Sequence, residues 1–181
     1  MNIFYVDSDP VVAAQSLFDT HVVKMIVESA QLLSTAHRVL DGIETVELNK
    51  AGSKMRRWHF PEGDIREEVL YKSTHFNHPS AIWVRESCAN YQWLFRHWIA
   101  LMQEYTHRYG KHHASERLIH HLANSPSNIP IKPFRQVTPA MDDSYIICQD
   151  SIINYRNYYI KSKMSLMAYT NRLPPNWIVM E

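Results

Sequence analysis

The stretch from Asp19 to Gly42 constrains this chain more than any other, because two helical periodicities are written into it at once. Val22, Met25, Ile26, Leu32, Leu33, Ala36, Val39 and Leu40, with small Ser29 among them, recur at three-four spacing and predict one buried face of a helix over 20–40. Asp19 stands in the position of its N-cap and Gly42 in that of its stop. A second stripe, His21, Lys24, Glu28, Gln31, Thr35 and Arg38, climbs another side of the same helix, each residue about one turn above the last.

The rest of the chain predicts more helix around this one. Residues 2–6 (Asn-Ile-Phe-Tyr-Val) form a short extended segment, and Asp9 followed by Pro10 starts a short helix reaching about Leu17. Thr45-Val46-Glu47-Leu48 and Met55-Arg56-Arg57-Trp58-His59-Phe60 alternate on either side of the Gly52 turn, which reads as a β-hairpin. Further helices are expected near 64–72, over about 80–109 ended by Gly110, over about 114–123, and from Asp143 to Met164. Pro126, Pro130, Pro133 and Pro139 mark an irregular crossing segment. The expectation is an all-α fold with a small β-hairpin insertion near 44–60, as one helical domain over 1–181, a length sufficient for one full core.

Composition narrows the function classes. With 45% apolar and 20% charged residues the chain is neither disordered nor collagenous. Cys88 and Cys148 lack framework spacing and read as free thiols of a reducing compartment. The first residues lack a basic signal-peptide region and no apolar run approaches spanning length, so a cytoplasmic, non-membrane protein is expected. A net charge of +1 does not itself advertise nucleic acid. Yet Ser151 to Met180 holds no Asp or Glu. It interleaves Arg156, Lys161, Lys163 and Arg172 with Tyr155, Tyr158, Tyr159, Tyr169 and Trp177, a mixture suited to phosphate contact and base stacking or to packing on the core.

Three constellations could carry chemistry. In the polar stripe, His21, Lys24 and Glu28 set a proton carrier, an amine and a carboxylate within two turns near a positive helix end. The plain alternative is a solvated face with a Lys24–Glu28 pair worth a few tenths of a kcal/mol. The loop His75-Phe76-Asn77-His78-Pro79, leading into Trp83 and Arg85, could hold a phosphate or base edge, or Asn77 or His78 could simply cap the helix that Pro79 begins. Around the Gly110 stop, Glu104, Arg108 and Arg96 are further candidates. Eleven histidines show no ligand spacing typical of a metal site, so neither metal nor cofactor is expected. Four glycines form no phosphate loop and no nucleophile elbow, which argues against ATP-driven and serine-hydrolase chemistry.

Asp19-Thr20-His21-Val22-Val23-Lys24-Met25-Ile26-Val27-Glu28, with Asn77-His78-Pro79 and Glu104 to Lys111, resembles a family of small proteins common in tailed phages. More distantly, the same order resembles the pyrimidine-dimer DNA glycosylases typified by the endonuclease V of T-even phages. In that family an early helix carries Asp-x-His with a catalytic Glu seven residues after the His. A long helix ending in an Arg-aromatic-Gly-like turn follows. His21, Glu28 and Arg108-Tyr109-Gly110 stand in those places.

The resemblance implies a compact all-α fold and N-glycosyl cleavage followed by an abasic lyase step. An amine attacks C1′ of the sugar, Glu28 acts as acid and base, His21 supports it, and a flipped base of double-stranded DNA is held in a pocket. His75, Asn77, His78, Arg85, Arg108, Tyr155 and Arg156 are the expected substrate-binding residues. The family's nucleophile is the α-amine of a small residue exposed once Met1 is removed, whereas residue 2 here is Asn, and Val27 stands where relatives carry Arg. The nucleophile is therefore the Met1 amine, Lys24, or neither. In the last case the stripe would serve a base-hypermodifying transferase that attaches an amino acid or amine to an activated 5-hydroxymethyluracil in DNA, or a non-catalytic DNA-binding module.

Overall fold

In the computed structural model, which describes residues 1–178, the two-faced helix is α2 (Asp19–Asp41). Helix α1 (Pro10–Gln15) precedes it, and strands β1 (Ile43–Leu48) and β2 (Lys54–His59) follow as an antiparallel hairpin with Thr45 opposite Arg57. Then come α3 (Arg66–Val69), α4 (Pro79–Glu86), α5 (Cys88–Tyr109), α6 (Ile119–Leu122) and α7 (Ser151–Lys163). Helices dominate, and the hairpin is the sheet of the described residues, as expected.

The core forms where the apolar face of α2 meets α5, with α1 and α4 packed alongside. Val22, Met25, Ile26, Leu32 and Leu33 are buried there against Leu94, Trp98 and Leu101. Each such aliphatic side chain contributes roughly 1.5–3 kcal/mol of burial free energy. Indoles enter this interior only with their N–H satisfied: Trp98 Nε1 donates to Ile26 O at 3.0 Å, Trp93 Nε1 to Ser8 O at 2.8 Å and Trp83 Nε1 to Arg135 O at 3.0 Å.

Several boundaries differ from the sequence-based expectation, each for a local reason. Asp19 does not cap α2; Phe18 occupies that position without a side-chain bond, and the Asp19 carboxylate accepts from Arg108 Nη1 (2.8 Å) and from Thr170. Gly42 does end α2, but at φ −90°. Its missing side chain matters because a Cβ there would lie 2.5 Å from Arg38 O and 3.3 Å from Trp58 Cβ. The helix expected over 80–109 is broken at Ser87, whose extended backbone lets its hydroxyl accept the Asn90 N–H at 3.1 Å. Asn90 fixes the break by donating to Trp83 O and accepting from Arg135 N–H. Gly110 terminates α5 in the left-handed region, as its position predicts.

The region near 64–72 is helical only over α3, and the stretch near 114–123 divides into a 3-10 turn (Ala114–Leu118) and α6. The last helix begins at Asp150–Ser151 rather than Asp143, because Asp150 caps it by accepting from Ile152 N–H at 2.8 Å. Residues 2–6 join no ladder; Tyr5 N–H and Val6 N–H turn back to Ile3 O and Phe4 O, and Ile3 to Val6 are buried. Cys88 and Cys148 are free, and no helix of the described residues is long and apolar enough to cross a membrane.

One side chain of α2 gathers the base of the hairpin and the segment around α3. Arg38, 1% exposed, donates from Nε to Tyr71 O, from Nη1 to Trp58 O and Glu67 Oε2, and from Nη2 to Glu67 O and Leu70 O. Its guanidinium also lies over Phe60, 5.1 Å from the ring centre. Burial raises the Glu67 carboxyl, yet hydrogen bonds from Phe60 N–H, His59 and Arg38 together bring it down to about 2. The carboxylate is thereby kept for the pairing that closes the hairpin base.

Three interior imidazoles make the fold acid-sensitive. Burial depresses His21 to about 3, and His37 and His97 to about 4. Each takes up its proton in the unfolded chain near 6.5 but not in the folded one. The unfolded state therefore binds more protons between about 6.5 and 4, and stability falls as pH falls through that window. His59 is raised by its bonds to Glu67 and Glu47 and acts in the opposite sense, weakly, because solvent screens it. The denaturant midpoint is expected to drop steadily from about pH 6.5 to 4.5. A midpoint level across that range would contradict neutral buried histidines.

Candidate active site

The polar stripe of α2 is largely an interior feature, and its members go to different partners. Glu28 sits near the middle of it with a side chain 16% exposed, while Lys24, one turn earlier and 67% exposed, places Nζ 3.5 Å from Glu28 Oε1. The other carboxylate oxygen faces the amino end of the chain. Asn2 N–H donates to Glu28 Oε2 at 3.1 Å, and the Met1 ammonium lies 3.8 Å from the same atom.

The amino end is positioned by the side chain of Asn2. Its Oδ1 accepts from the Tyr155 hydroxyl and from Ile3 N–H, both at 2.8 Å, and its Nδ2 donates to Ala140 O at 3.0 Å. Tyr155 also accepts from Ala140 N–H, so one buried hydroxyl ties residue 2 to α7 and to the crossing segment. Phe4 then lies over His21, ring centres 4.1 Å apart, with Phe18 on the other face at 3.9 Å. This lays residues 1–4 along the first half of α2.

His21, grouped by spacing with the amine and the carboxylate, is hydrogen-bonded to neither. Its imidazole is sandwiched between Phe4 and Phe18, and its Nδ1 meets the Tyr159 hydroxyl at 2.6 Å. Burial, then the charges of Lys163 and Lys24, hold it neutral with a pKa of about 3. It packs the amino segment onto α2.

The loop before α4 completes the neighbourhood. Thr74 N–H donates to Thr35 Oγ1 at 3.2 Å, which fixes the loop to α2 two turns beyond Glu28. Arg85 donates from Nη1 to Phe76 O at 2.6 Å and to Ala81 O at 3.0 Å, so it braces the loop from within. Between those two anchors His75 is held at φ 46°, a left-handed conformation costing a non-glycine residue roughly 1 kcal/mol or more. His78 caps α4 by accepting Ser80 N–H at Nδ1, 3.2 Å, which leaves Nε2 to carry the proton of the neutral ring. Burial lowers the pKa of His78 first; the amino-terminal charge and His75 lower it further, and Glu28 opposes them. His78, His75, Glu28 and the amino end thus share one electrostatic neighbourhood. Asn77 is exposed on the same loop.

The other expected substrate contacts lie in structural networks. Arg108 is buried with Nε on Glu104 Oε1 (2.7 Å) and Nη1 on Asp19 Oδ1 (2.8 Å), while Arg172 Nε reaches the same Glu104 oxygen at 2.8 Å. Arg156 Nε donates to Val6 O at 2.8 Å and its guanidinium faces Trp177 at 5.3 Å. Tyr155 and Tyr159 are core rings. The basic, aromatic C-terminal stretch therefore packs, through these residues, on the helical body; its last residues, from 179, lie outside the described chain. Arg96 is exposed on α5, bonded to Gln92 O at 3.4 Å. Among the described residues no three His, Cys, Asp or Glu side chains gather into a metal site.

The arrangement sets two amines 3.5 and 3.8 Å from one carboxylate, with His78 near enough to feel both the carboxylate and the amino-terminal charge. Sequence reasoning singled out Glu28, Lys24, His75 and His78 as candidates but passed over Asn2, whose partners are 138 and 153 residues away and leave no local spacing to read. A model of the family described as pyrimidine dimer DNA glycosylase matches residues 1–117. No curated protein and no solved structure matches the chain.

Proposed function

The chain belongs to the pyrimidine dimer DNA glycosylase family, and from that membership we propose that it excises a base from double-stranded DNA through an amine nucleophile governed by Glu28. The observation that carries this reading is the pairing of Glu28 with amine nitrogens on both sides, the amino end at 3.8 Å and Lys24 Nζ at 3.5 Å.

The chemistry follows from those two group types. An amine attacks only with a free lone pair, so its proton must move to a base within reach, and Glu28 is that base. The amine forms a bond to C1′ as the glycosidic bond breaks, and the base leaves with the bonding pair and a proton. Glu28 returns a proton to O4′ as the sugar ring opens to the iminium. Loss of a C2′ proton then expels the 3′-phosphate, the lyase step. The target nucleotide leaves the stack to reach an amine seated against α2. The loop carrying His75, Asn77 and His78, tied to α2 at Thr35, holds the flipped base or its phosphate.

Borohydride reduction on an abasic duplex tests this, because it freezes the iminium as a stable amine. A protein–DNA adduct is expected, and peptide mass mapping should place it on the amino-terminal peptide, where the nitrogen is held by Asn2. An adduct on Lys24 would move the nucleophile to the side chain. Absence of any adduct on abasic and dimer-bearing duplexes would overturn the reading. A mass gain on nucleosides of DNA carrying activated hydroxymethyluracil would replace it with amine transfer.

A further inference from the structure

Beside the loop assigned to the flipped nucleotide, the hairpin forms a groove that shares His75 with it but contains none of Met1, Lys24 and Glu28. The groove has a volume of about 500 Å³ and runs between β2 and the loop before α4, lined by Lys54, Arg56, Arg57, Ser73, His75 and Phe76. Arg57 crosses to the loop by donating from Nη1 to Ser73 O, a bond that occupies one of its five donors. Neither Arg57 nor Lys54 has a carboxylate partner within ion-pair distance among the described residues, and Lys54 is exposed. Arg56 differs: both oxygens of Glu44 neutralise it, and its guanidinium lies over Trp58 and Phe76 at 5.1 and 4.9 Å. The floor is also incompletely satisfied. Ser73 is 3% exposed and its hydroxyl has no partner among the described residues.

Two uncompensated cations, a stacked guanidinium–aromatic wall and an orphan hydroxyl suit a phosphodiester better than a peptide or an apolar ligand. Position gives the same answer. The groove-lining loop is tied to Thr35, seven residues beyond Glu28 on α2, which is roughly 10 Å along the helix axis. That distance is a step or two of nucleic-acid backbone from the reacting sugar.

We infer that this groove binds the phosphodiester backbone of the DNA strand flanking the reacting nucleotide, with Lys54 and Arg57 as its phosphate contacts. The inference rests on the functional reading above. The hairpin then serves as a second grip, which sets the strand in register while the target base is out of the stack.

The test separates the groove from the chemistry. Binding of the full chain to a duplex with a stable abasic analogue is measured by anisotropy across a salt series, for wild type, Lys54→Glu and Arg57→Ala. Lys54 is exposed on the hairpin, so its variant keeps the fold if Arg57→Ala does not. Each substitution is expected to weaken binding at least fivefold. Each should also make the slope of log K against log salt shallower by about one. Unchanged affinity and slope in Lys54→Glu and in folded Arg57→Ala would overturn the groove. Wild-type trapping by borohydride reports the glycosylase reading separately. If trapping fails while Lys54→Glu still binds more weakly with a shallower slope, the groove stands as a DNA site and only the chemistry falls.

Discussion

Glu28→Gln should reduce borohydride trapping on an abasic duplex by about 10²- to 10⁴-fold, the range that removal of a general acid–base group usually spans. The fold should survive. Glutamine keeps an oxygen for the Asn2 N–H, so the bond at 3.1 Å has a neutral successor. The lost Lys24 pair is exposed on one side and worth a few tenths of a kcal/mol. Thermal midpoints of the two proteins should therefore agree within a degree or two while the trapping rates separate. Equal trapping rates would remove Glu28 from the mechanism, and a large drop in midpoint would assign it a structural role instead.

Arg38→Ala is expected to cost the most stability. The guanidinium holds Glu67 and four backbone carbonyls at once, in a site closed to water. Its removal leaves four carbonyls without that donor, and takes from Glu67, whose side chain is 35% exposed, one of the three groups that hold its carboxylate. Leaving several acceptors unmatched at about 1–3 kcal/mol each costs about 3–5 kcal/mol in all, a large share of the roughly 5–15 kcal/mol that holds a domain. A fall in thermal midpoint on the order of 10 °C should follow. Glu67→Gln, measured alone and together with Arg38→Ala in a double-mutant cycle, should show how much of the loss belongs to this one pair. A shift below about 2 °C for Arg38→Ala would mean that the hairpin base is held by other contacts.

Helix α2 shows how much of this molecule can be read from sequence. Its apolar face, its length and its glycine stop follow from spacing alone, because the period of a helix is a local property. So do the Asp9–Pro10 start, the hairpin and the left-handed Gly110. The break at Ser87 was hidden because the residues on both sides continue the same periodicity, and only the Asn90 and Pro130 contacts show why the chain bends there. The polar stripe was legible as a set but not as individual roles. Lys24 and Glu28 meet because they stand one turn apart. His21 turns inward because Phe4, from a segment that carries no helical pattern, closes over it. For Arg85, Arg108, Tyr155 and Arg156 the intramolecular partners were not legible, because charge and aromatic content do not reveal which backbone oxygens or carboxylates a fold will deliver to them.

The clamp on Asn2 has a consequence for the order of events during synthesis. Asn2 is made early, yet the hydroxyl and carbonyl that seat it belong to Tyr155 and Ala140, 153 and 138 residues further along. Until those residues have been made, the Asn2 side chain has no partners to hold it, so the seating of residues 1–4 along α2 is a late event of folding.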